Sequence, residues 1–296
     1  MFDLRSYIAQ KNRLVNTALE TYFQDPLHSR RIVEAMTYSL MAGGKRIRPI
    51  LCLAAAEAVG GKEADALPAA CALEMIHTYS LIHDDLPSID DDTLRRGKPT
   101  CHIAFDDATA ILAGDALLTM AFQVLSSVQF AENDYAVKWL NIIHLVSAAA
   151  GYRGMILGQM LDIASEGKQL SVKELEVMHA LKTGALIEAS LQSGAIIGCA
   201  NDSQLELLKR YSQKIGLAFQ VADDILNVEG NPGVMGKAIG TDRLREKSTY
   251  PSILGLNESK ALARKLIRNA LQAIENFDKR SEPLRAIAAY IIERKR

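Results

Sequence analysis

Apolar residues recur with a helical period along most of the chain. Within residues 31–42 they fall at Ile32, Val33, Met36 and Leu40, close to the i, i+3, i+4, i+7 spacing that places them on one helix face. The same period predicts helices over residues 66–82, 107–130, 136–163, 171–199, 203–228 and 258–293. No segment alternates apolar and polar residues over the length of a strand. The pattern therefore predicts an all-α fold.

The breaks between these predicted helices are short. They include Gly60-Gly61, the run "RRGKP" at 95–99 and the run "GNPGVMG" at 230–236. None is longer or richer in serine and proline than an ordinary connector between helices. We therefore expect residues 1–296 to form a single domain.

Composition excludes some classes of function. The 296 residues carry 34 basic and 35 acidic side chains, for a net charge of −1, so no global charge attracts nucleic acid or a membrane surface. The four cysteines show no CxxC pairing, and the chain starts without a long apolar segment, which predicts reduced thiols in a cytoplasmic protein. Charged or polar residues at Asp115, His144 and Arg153 interrupt the longest apolar stretches, so we expect buried helices and no membrane insertion.

Two pairs of aspartates follow apolar helical runs. In "HDDLPSIDDDTLRR", residues 83–96, Pro87 should end the helix, which leaves Asp84 and Asp85 on its last turn and returns Asp90 from a loop. The run "FQVADDILN" at 219–227 repeats the arrangement at the end of another apolar helix. Carboxylates gathered in this way suit Mg²⁺, which uses one or two carboxylates together with waters and substrate phosphates. The two clusters therefore predict a magnesium–diphosphate site.

Short basic clusters accompany the aspartates and could bind phosphate oxygens directly. They comprise Lys45 and Arg48 in "GGKRIRP", the pair Arg95-Arg96, Lys182 in "KTG", and Lys237. The nucleotide-binding pattern GxxxxGK[ST] does not occur in the sequence, so the predicted phosphate is not that of ATP or GTP.

Each cluster alone has a simpler interpretation. An acidic loop is commonly a solvated connector, "GGKRIRP" could be an exposed basic turn, and His77 could be a core histidine. The ExxH spacing of Glu74 with His77, and of Glu176 with His179, also matches di-iron helical bundles, which the iron content of the purified protein would reveal. The conjunction of two acidic motifs, each followed by cations, favours the diphosphate site.

These residues resemble the short-chain trans-prenyltransferases of the polyprenyl synthase family, and are most similar to its bacterial farnesyl diphosphate synthases. Asp84, Asp85 and Asp90 match the first aspartate-rich motif of that family, and "FQVADDILN" matches the second. Between and after them, "GQMLDI", "KTGAL" and "GKAIGTDRLREKSTYP" resemble further family segments. The resemblance runs from about residue 25 to the final helix.

The resemblance implies an isoprenoid-synthase-like bundle of roughly ten or more helices around a deep central cavity, and a homodimer. It implies that Asp84 and Asp90 bind two Mg²⁺ ions and Asp223 a third, with Asp85 and Asp224 nearby. Where the family usually carries a third aspartate in the second motif, this chain has Asn227, so the affinity for the third Mg²⁺ is open.

The resemblance also assigns substrate contacts. The allylic diphosphate would be held by Arg95, Lys182 and Lys237. The diphosphate of isopentenyl diphosphate would be held by the loop at Gly44 together with Lys45, Arg48, His77 and Arg96. Thr183 and Gln220 would lie along the reacting carbons.

The implied reaction is a head-to-tail condensation that yields farnesyl diphosphate. Tyr79, five positions before Asp84 and beside the small Ser80, corresponds to the aromatic floor of the tail channel in fifteen-carbon producers. A geranylgeranyl diphosphate synthase of the same family is the main alternative. A non-catalytic subunit would be expected to lack the aspartates or Arg95-Arg96, which are present here.

Overall fold

The computed structural model describes residues 2–24, 30–128, 133–229 and 247–294, and helices dominate these ranges. In chain order the helices are α1 (Leu4–Thr21), α2 (Arg30–Leu40), α3 (Ile47–Ala58), α4 (Glu63–Asp84), α5 (Cys101–Ala104), α6 (Asp107–Ser126), α7 (Asn133–Ala150), α8 (Met155–Ala164), α9 (Val172–His179), α10 (Ala185–Ile197), α11 (Asp202–Glu229), α12 (Tyr250–Leu254), α13 (Leu256–Ala273) and α14 (Glu282–Glu293). A π-helical turn, Ala180–Gly184, joins α9 to α10, and a 3₁₀ turn, Lys279–Ser281, precedes α14. The all-α prediction is confirmed.

One small β-hairpin departs from the helical pattern. Strands β1 (Leu94–Arg95) and β2 (Lys98–Pro99) pair antiparallel across the two-residue turn Arg96-Gly97. Both turn residues have positive φ, 55° and 75°, as tight two-residue hairpin turns require. Strands of two residues are too short to show alternation, so the sequence pattern did not predict them.

Two predicted helices are each interrupted by non-helical residues in the structure. Residues 136–163 form α7 and α8, which are separated by a turn at residues 151–154 that contains Gly151 and Gly154. Residues 258–293 are divided between α13 and α14, because the Asp278 side chain caps a 3₁₀ turn and Pro283 begins the next helix. The apolar period continues through both breaks, which is why periodicity alone missed them.

Helices α3 and α4 form the centre of the fold. Most of their residues are buried, and α4 packs against α3, α6 and α10. A helix surrounded in this way must be apolar on most of its faces, which its Ala- and Leu-rich sequence provides. The C-terminal turn of α4 leaves this core and carries the first aspartate motif.

The buried apolar residues form two clusters. The first joins α1, α2, α4, α6 and α7, and the second joins α11, α13 and α14. Helices α3 and α10 contribute residues to both clusters and hold them together. The first aspartate motif thus extends from one cluster and the second motif from the other.

Candidate active site

The loop after α4 folds back on the helix end. The backbone N–H of Asp90 donates to the carbonyl oxygen of Asp84 over 2.9 Å, and that of Asp91 donates to Leu86 over 3.0 Å. Asp84 is the last residue of α4 and Asp85 its C-cap, as Pro87 predicted. The backbone of Asp90 therefore bonds directly to that of Asp84, which brings the two residues of the first motif together.

Asp84 lies in a half-buried, acidic environment. Burial raises the pKa of its carboxyl to about 6; Lys182 and Arg95 lower it, whereas the neighbouring carboxylates of Asp90 and Asp85 raise it further. Burial and the neighbouring carboxylates disfavour the charged form of this carboxyl group, so a cation placed beside it would stabilise that form. Asp84 thus has the electrostatic setting of a metal ligand.

Asp85 and Arg95 form a close ion pair at the base of the hairpin. Asp85 is buried, and the Nε of Arg95 lies 2.7 Å from both of its carboxylate oxygens. Strand β1 supplies Arg95, so the hairpin is what brings this cation back to the end of α4. The guanidinium also lies 3.6 Å from Asp92.

The π-helical turn presents Lys182 and Thr183. Helix α8 packs directly on this turn at Gly158, where a Cβ would lie only 2.1 Å from the backbone nitrogen of Lys182. The glycine of the "GQMLD" segment is therefore required for this contact. The aspartate of the same segment, Asp162, accepts a hydrogen bond from Lys182 Nζ over 2.6 Å. Thr183 Oγ1 donates to Gln220 Oε1 on α11 over 3.2 Å.

Lys247 is a site residue that the sequence analysis did not single out. Its Nζ lies 3.0 Å from Asp162 and 3.4 Å from Asp90. Burial raises the pKa of Asp162, but Lys182 and Lys247 outweigh it and hold that pKa below its usual value. The position of Lys247 near the end of the segment "GKAIGTDRLREKSTYP" was the sequence signal that could have identified it. Lys237, earlier in that stretch, lies outside the described residues.

The two aspartates of the second motif have different surroundings. They lie in the last two turns of α11, which runs from Asp202 to Glu229 and matches the helix predicted over residues 203–228. Asp224 is buried and accepts from Gln220 Nε2 and from the backbone N–H of Tyr250, each over 3.0 Å. It thereby ties α11 to α12. Asp223 is half-exposed and pairs with Arg294.

The loop at 43–48 meets the hairpin. Gly43 and Gly44 have φ values of 91° and 119°, and a Cβ on Gly44 would lie 2.5 Å from the guanidinium carbon of Arg96. Arg96 donates to the carbonyl oxygen of Gly43. The structure therefore brings Arg96 to the loop that carries Lys45 and Arg48.

The cations of this loop strongly affect one another. Burial lowers the pKa of Arg48 to about 10, Glu74 raises it and Arg96 lowers it. Burial also holds the pKa of His77 well below its usual value, and Arg48 and Arg96 act in the same direction. His77 is therefore a neutral imidazole among arginines, able to donate a hydrogen bond to an anion.

Tyr79 belongs to the first apolar cluster. It is 5% exposed, and its ring meets that of His83 edge to face with a centroid distance of 5.7 Å. Ser80 Oγ donates to the carbonyl oxygen of His77 over 2.9 Å. A shallow cleft beside the end of α4 is lined by residues that include Leu81, Ile82, Asp85, Arg95 and Arg96. The proposed role of Tyr79 as the channel floor stays a prediction.

The acidic residues fit Mg²⁺ by their chemistry. Among the described residues no three His, Cys, Asp or Glu side chains converge as a ready metal cage, and Asp85, Asp90 and Asp223 each contact a basic side chain instead. Carboxylate oxygens beside cations that can bind phosphate suit an ion that arrives together with diphosphate. The ExxH pair Glu74–His77 does not suit iron, because Glu74 bonds to Arg46 and His77 lies among arginines.

Comparisons with known proteins agree with this geometry. The family model described as polyprenyl synthetase matches residues 29–290. The chain is 48% identical to the heterodimeric geranylgeranyl pyrophosphate synthase large subunit 1 of Arabidopsis thaliana, covering 99% of this chain and 80% of that protein. It is 47% identical to the farnesyl diphosphate synthase of Haemophilus influenzae, over 97% of both chains.

A solved structure shows the same fold. The FPP/GFPP synthase of Zymomonas mobilis superposes with a TM-score of 0.88 at 37% identity, covering 97% of this chain and 98% of that one. Both aspartate motifs lie within the matched residues 29–290, as do Arg95, Lys182 and Lys247. On this evidence the chain belongs to the polyprenyl synthetase family.

Proposed function

We propose that this protein is a short-chain trans-prenyltransferase that joins isopentenyl diphosphate to dimethylallyl and geranyl diphosphates and releases farnesyl diphosphate. The observation that supports this proposal is the acidic end of α4, where Lys182 and Arg95 lower the pKa of Asp84 and the Nζ of Lys247 lies 3.4 Å from Asp90. Carboxylates that bind the metal, with cations around them, would hold a metal–diphosphate complex and stabilise the diphosphate as it leaves.

The allylic diphosphate is assigned to the first motif. Arg95 and Lys182 now bond to Asp85 and Asp162 and can exchange those carboxylates for phosphate oxygens. Lys247 is added to this set because it contacts Asp90 and Asp162. The earlier assignment of Lys237 stays a prediction.

Isopentenyl diphosphate is assigned to the adjoining basic loop. Lys45 and Arg48 extend from this loop, which Arg96 contacts at Gly43 and Gly44, and the neutral His77 supplies a further donor. The two diphosphates would thus occupy neighbouring sites whose cations differ.

The aspartates would hold the metal. Asp84, Asp90 and Asp223 are the proposed ligands, and we expect three Mg²⁺ ions, which neutralise the diphosphate charge when bound. Asp85 and Asp224 now bond to Arg95 and to the backbone of Tyr250, so their proposed place near the metal requires them to accept a further contact.

The reaction then follows from charge. The allylic carbon–oxygen bond breaks as Arg95 and Lys182 stabilise the departing diphosphate, and the double bond of isopentenyl diphosphate attacks the resulting cation. The proton lost from the adduct passes to the released diphosphate. Thr183 and Gln220, bonded to each other, would line the reacting carbons, and the apolar walls of α4 and α10 exclude water.

We also propose that the protein acts as a cytoplasmic homodimer in which one domain spans residues 1–296. Helix α6 (Asp107–Ser126) and the segment Tyr135–Ala164, which comprises most of α7 and all of α8, are long and apolar enough to cross a membrane by length and composition. They expose large side chains, among them Leu112 at 59% and Leu140 at 65%. In the proposed homodimer a second copy of the chain covers these exposed apolar side chains, which accounts for their presence on the surface of one copy. Light scattering of the wild type beside Leu140→Glu tests this, because only the variant should be monomeric.

Incubation with labelled isopentenyl diphosphate and each allylic primer tests the proposed function. Chromatography of the products should show a fifteen-carbon diphosphate made only with Mg²⁺ present. A twenty-carbon product would favour the geranylgeranyl alternative, which has support in the plant relatives of that name. No product from any primer would contradict the proposal.

A further inference from the structure

In the sequence Arg46 lies between the proposed substrate-binding residues Lys45 and Arg48, and its side chain is buried against α1, α2 and α4. Its backbone is left-handed, with φ of 51°, at the N-cap of α3, and its side chain is 1% exposed. The guanidinium makes three hydrogen bonds: to Glu74 Oε1 over 2.6 Å, to the carbonyl oxygen of Leu40 over 2.6 Å, and to Asn16 Oδ1 over 3.0 Å. These bonds connect the start of α3 to α4, α2 and α1.

Glu74 supplies the opposite charge from the centre of α4. Its side chain is also 1% exposed, and its second oxygen, Oε2, is buried without a hydrogen bond to any described residue. Its negative charge raises the pKa values of both Arg48 and Arg96, whose guanidinium groups otherwise repel each other. One buried carboxylate therefore counterbalances three neighbouring guanidinium groups.

Arg46 and Glu74 are close in the chain to residues of the proposed diphosphate site, so the position of the pair affects the positions of those residues. Lys45 precedes Arg46 directly, and Arg48 follows it on the first turn of α3. Glu74 and His77 lie three positions apart on α4 and so share a helix face. A shift of the Arg46–Glu74 pair would consequently move Lys45 and Arg48 on α3 and its loop, and the neutral His77 on α4.

We propose that Arg46 and Glu74 act as a positioning pair that holds Lys45, Arg48 and Arg96 in the arrangement that binds the diphosphate of isopentenyl diphosphate. The inference rests on the proposed function and extends it to two residues that do not themselves touch substrate. Without the pair, the loop loses its anchor to three helices and the guanidinium groups separate. Affinity for the allylic substrate depends on other contacts and is left largely intact.

The test must separate positioning from folding. Glu74→Gln alone leaves the Arg46 charge buried and uncompensated, which destabilises proteins strongly. The double variant Arg46→Met, Glu74→Leu replaces the pair with apolar side chains, a change that commonly preserves stability. Asn16→Ala removes only one of the three anchoring bonds. Lys11→Met is the matched control, because Lys11 is a buried cation that bonds to Glu57 at the opposite end of α3 and to Glu63 at the start of α4.

The measurements are the melting temperature and the KM for each substrate. In the double variant the KM for isopentenyl diphosphate should rise about tenfold while that for geranyl diphosphate changes less than about twofold. Asn16→Ala should show a smaller rise of the same kind, and it decides the matter if the double variant does not fold. Lys11→Met should alter only the melting temperature.

Unchanged KM values in a folded variant, or equal rises for both substrates, would overturn the positioning role. A wild-type protein that forms no product from these two substrates would instead remove the proposed function, so the two failures are distinguishable.

Discussion

The guanidinium of Arg294 donates a hydrogen bond to the carboxylate of Asp223, with Nη2 2.5 Å from Oδ1. Arg294 follows the last helix, yet its side chain is only 4% exposed. It also donates to the carbonyl oxygen of Phe219 and lies 3.9 Å above the Phe219 ring. The end of the described chain is thus fixed to the second aspartate motif, at the residue proposed to bind the third Mg²⁺.

This contact predicts competition between Arg294 and metal. In Arg294→Gln the carboxylate of Asp223 loses its charged partner, so the Mg²⁺ concentration for half-maximal activity should fall several-fold, which corresponds to about 1 kcal/mol. Lys260→Gln is the control. Lys260 on α13 pairs with Glu229, which lies on α11 like Asp223 but is not a proposed metal ligand. Titration of activity with Mg²⁺ gives the concentration for half-maximal activity of each variant. An unchanged concentration in Arg294→Gln would contradict the competition.

The substitution Tyr79→Ala should lengthen the product. If the ring closes the tail channel, its removal opens space for another five-carbon unit, and product should shift from fifteen to twenty carbons or more. If Tyr79 is only a core residue, the same change should lower the free energy of unfolding by about 3–5 kcal/mol and leave the length unchanged.

Tyr79→Phe controls for the hydroxyl group. The Tyr79 oxygen bonds to no atom of the described residues, so its removal should leave the product length as it is. Product chromatography beside thermal melts compares the two variants. A fifteen-carbon product from Tyr79→Ala would reject the floor assignment.

Arg95 and Arg96 should differ in the substrate they serve. Lysine keeps the charge but loses the planar fork of arginine. Arg96→Lys should therefore raise the KM for isopentenyl diphosphate more than that for geranyl diphosphate, because Arg96 contacts the 43–44 loop. Arg95→Lys should show the reverse bias, since Arg95 lies at Asp85. Steady-state kinetics with each substrate varied in turn gives the four values, and equal shifts in both variants would show that the division of roles is wrong.

His179 should make stability depend on pH. Burial lowers its pKa to about 4, so below pH 6.5 the unfolded chain binds a proton that the folded chain does not. Stability is therefore fully retained above pH 6.5 and decreases as the pH falls towards 4. Between pH 8 and pH 5 this one residue should cost about 2 kcal/mol. Asp84 acts in the opposite direction, because its raised pKa favours protonation of the folded state.

A comparison with His179→Phe isolates the histidine, since Asp84 is the same in both proteins. The phenyl ring can keep the packing against Tyr250, whose centroid lies 5.6 Å away. Denaturant unfolding at pH 8 and pH 5 should show a stability difference that moves in favour of the variant at the lower pH. Parallel pH profiles would exclude a buried neutral histidine.

Local sequence signals predicted the first motif well. Pro87 ended α4 at the expected place, and the backbone bond from Asp90 to Asp84 confirmed the returning loop. Periodicity also placed the second motif, because the helix predicted over residues 203–228 matches α11 and leaves Asp223 and Asp224 in its last two turns. The carboxylate pair there separates into an inward and an outward residue, which depends on packing against α12.

Long-range contacts were beyond the sequence pattern. Lys247 meets Asp90 and Asp162 from positions 157 and 85 residues away, and Arg294 meets Asp223 from 71 residues away. Arg46 stood inside "GGKRIRP" with no sign that it faces inwards, because its left-handed backbone is set by the fold. Single residues of this kind become visible only once the helices are packed.

The turnover of Asp84→Asn at saturating Mg²⁺ tests the central claim most directly. The amide keeps the shape of the side chain at the end of α4 but removes the charge proposed to hold metal. Product formation from isopentenyl and geranyl diphosphates should fall at least about a hundredfold, a loss on the order of 3 kcal/mol of transition-state stabilisation, while the melting temperature stays near that of the wild type. Wild-type turnover in this variant would contradict the account.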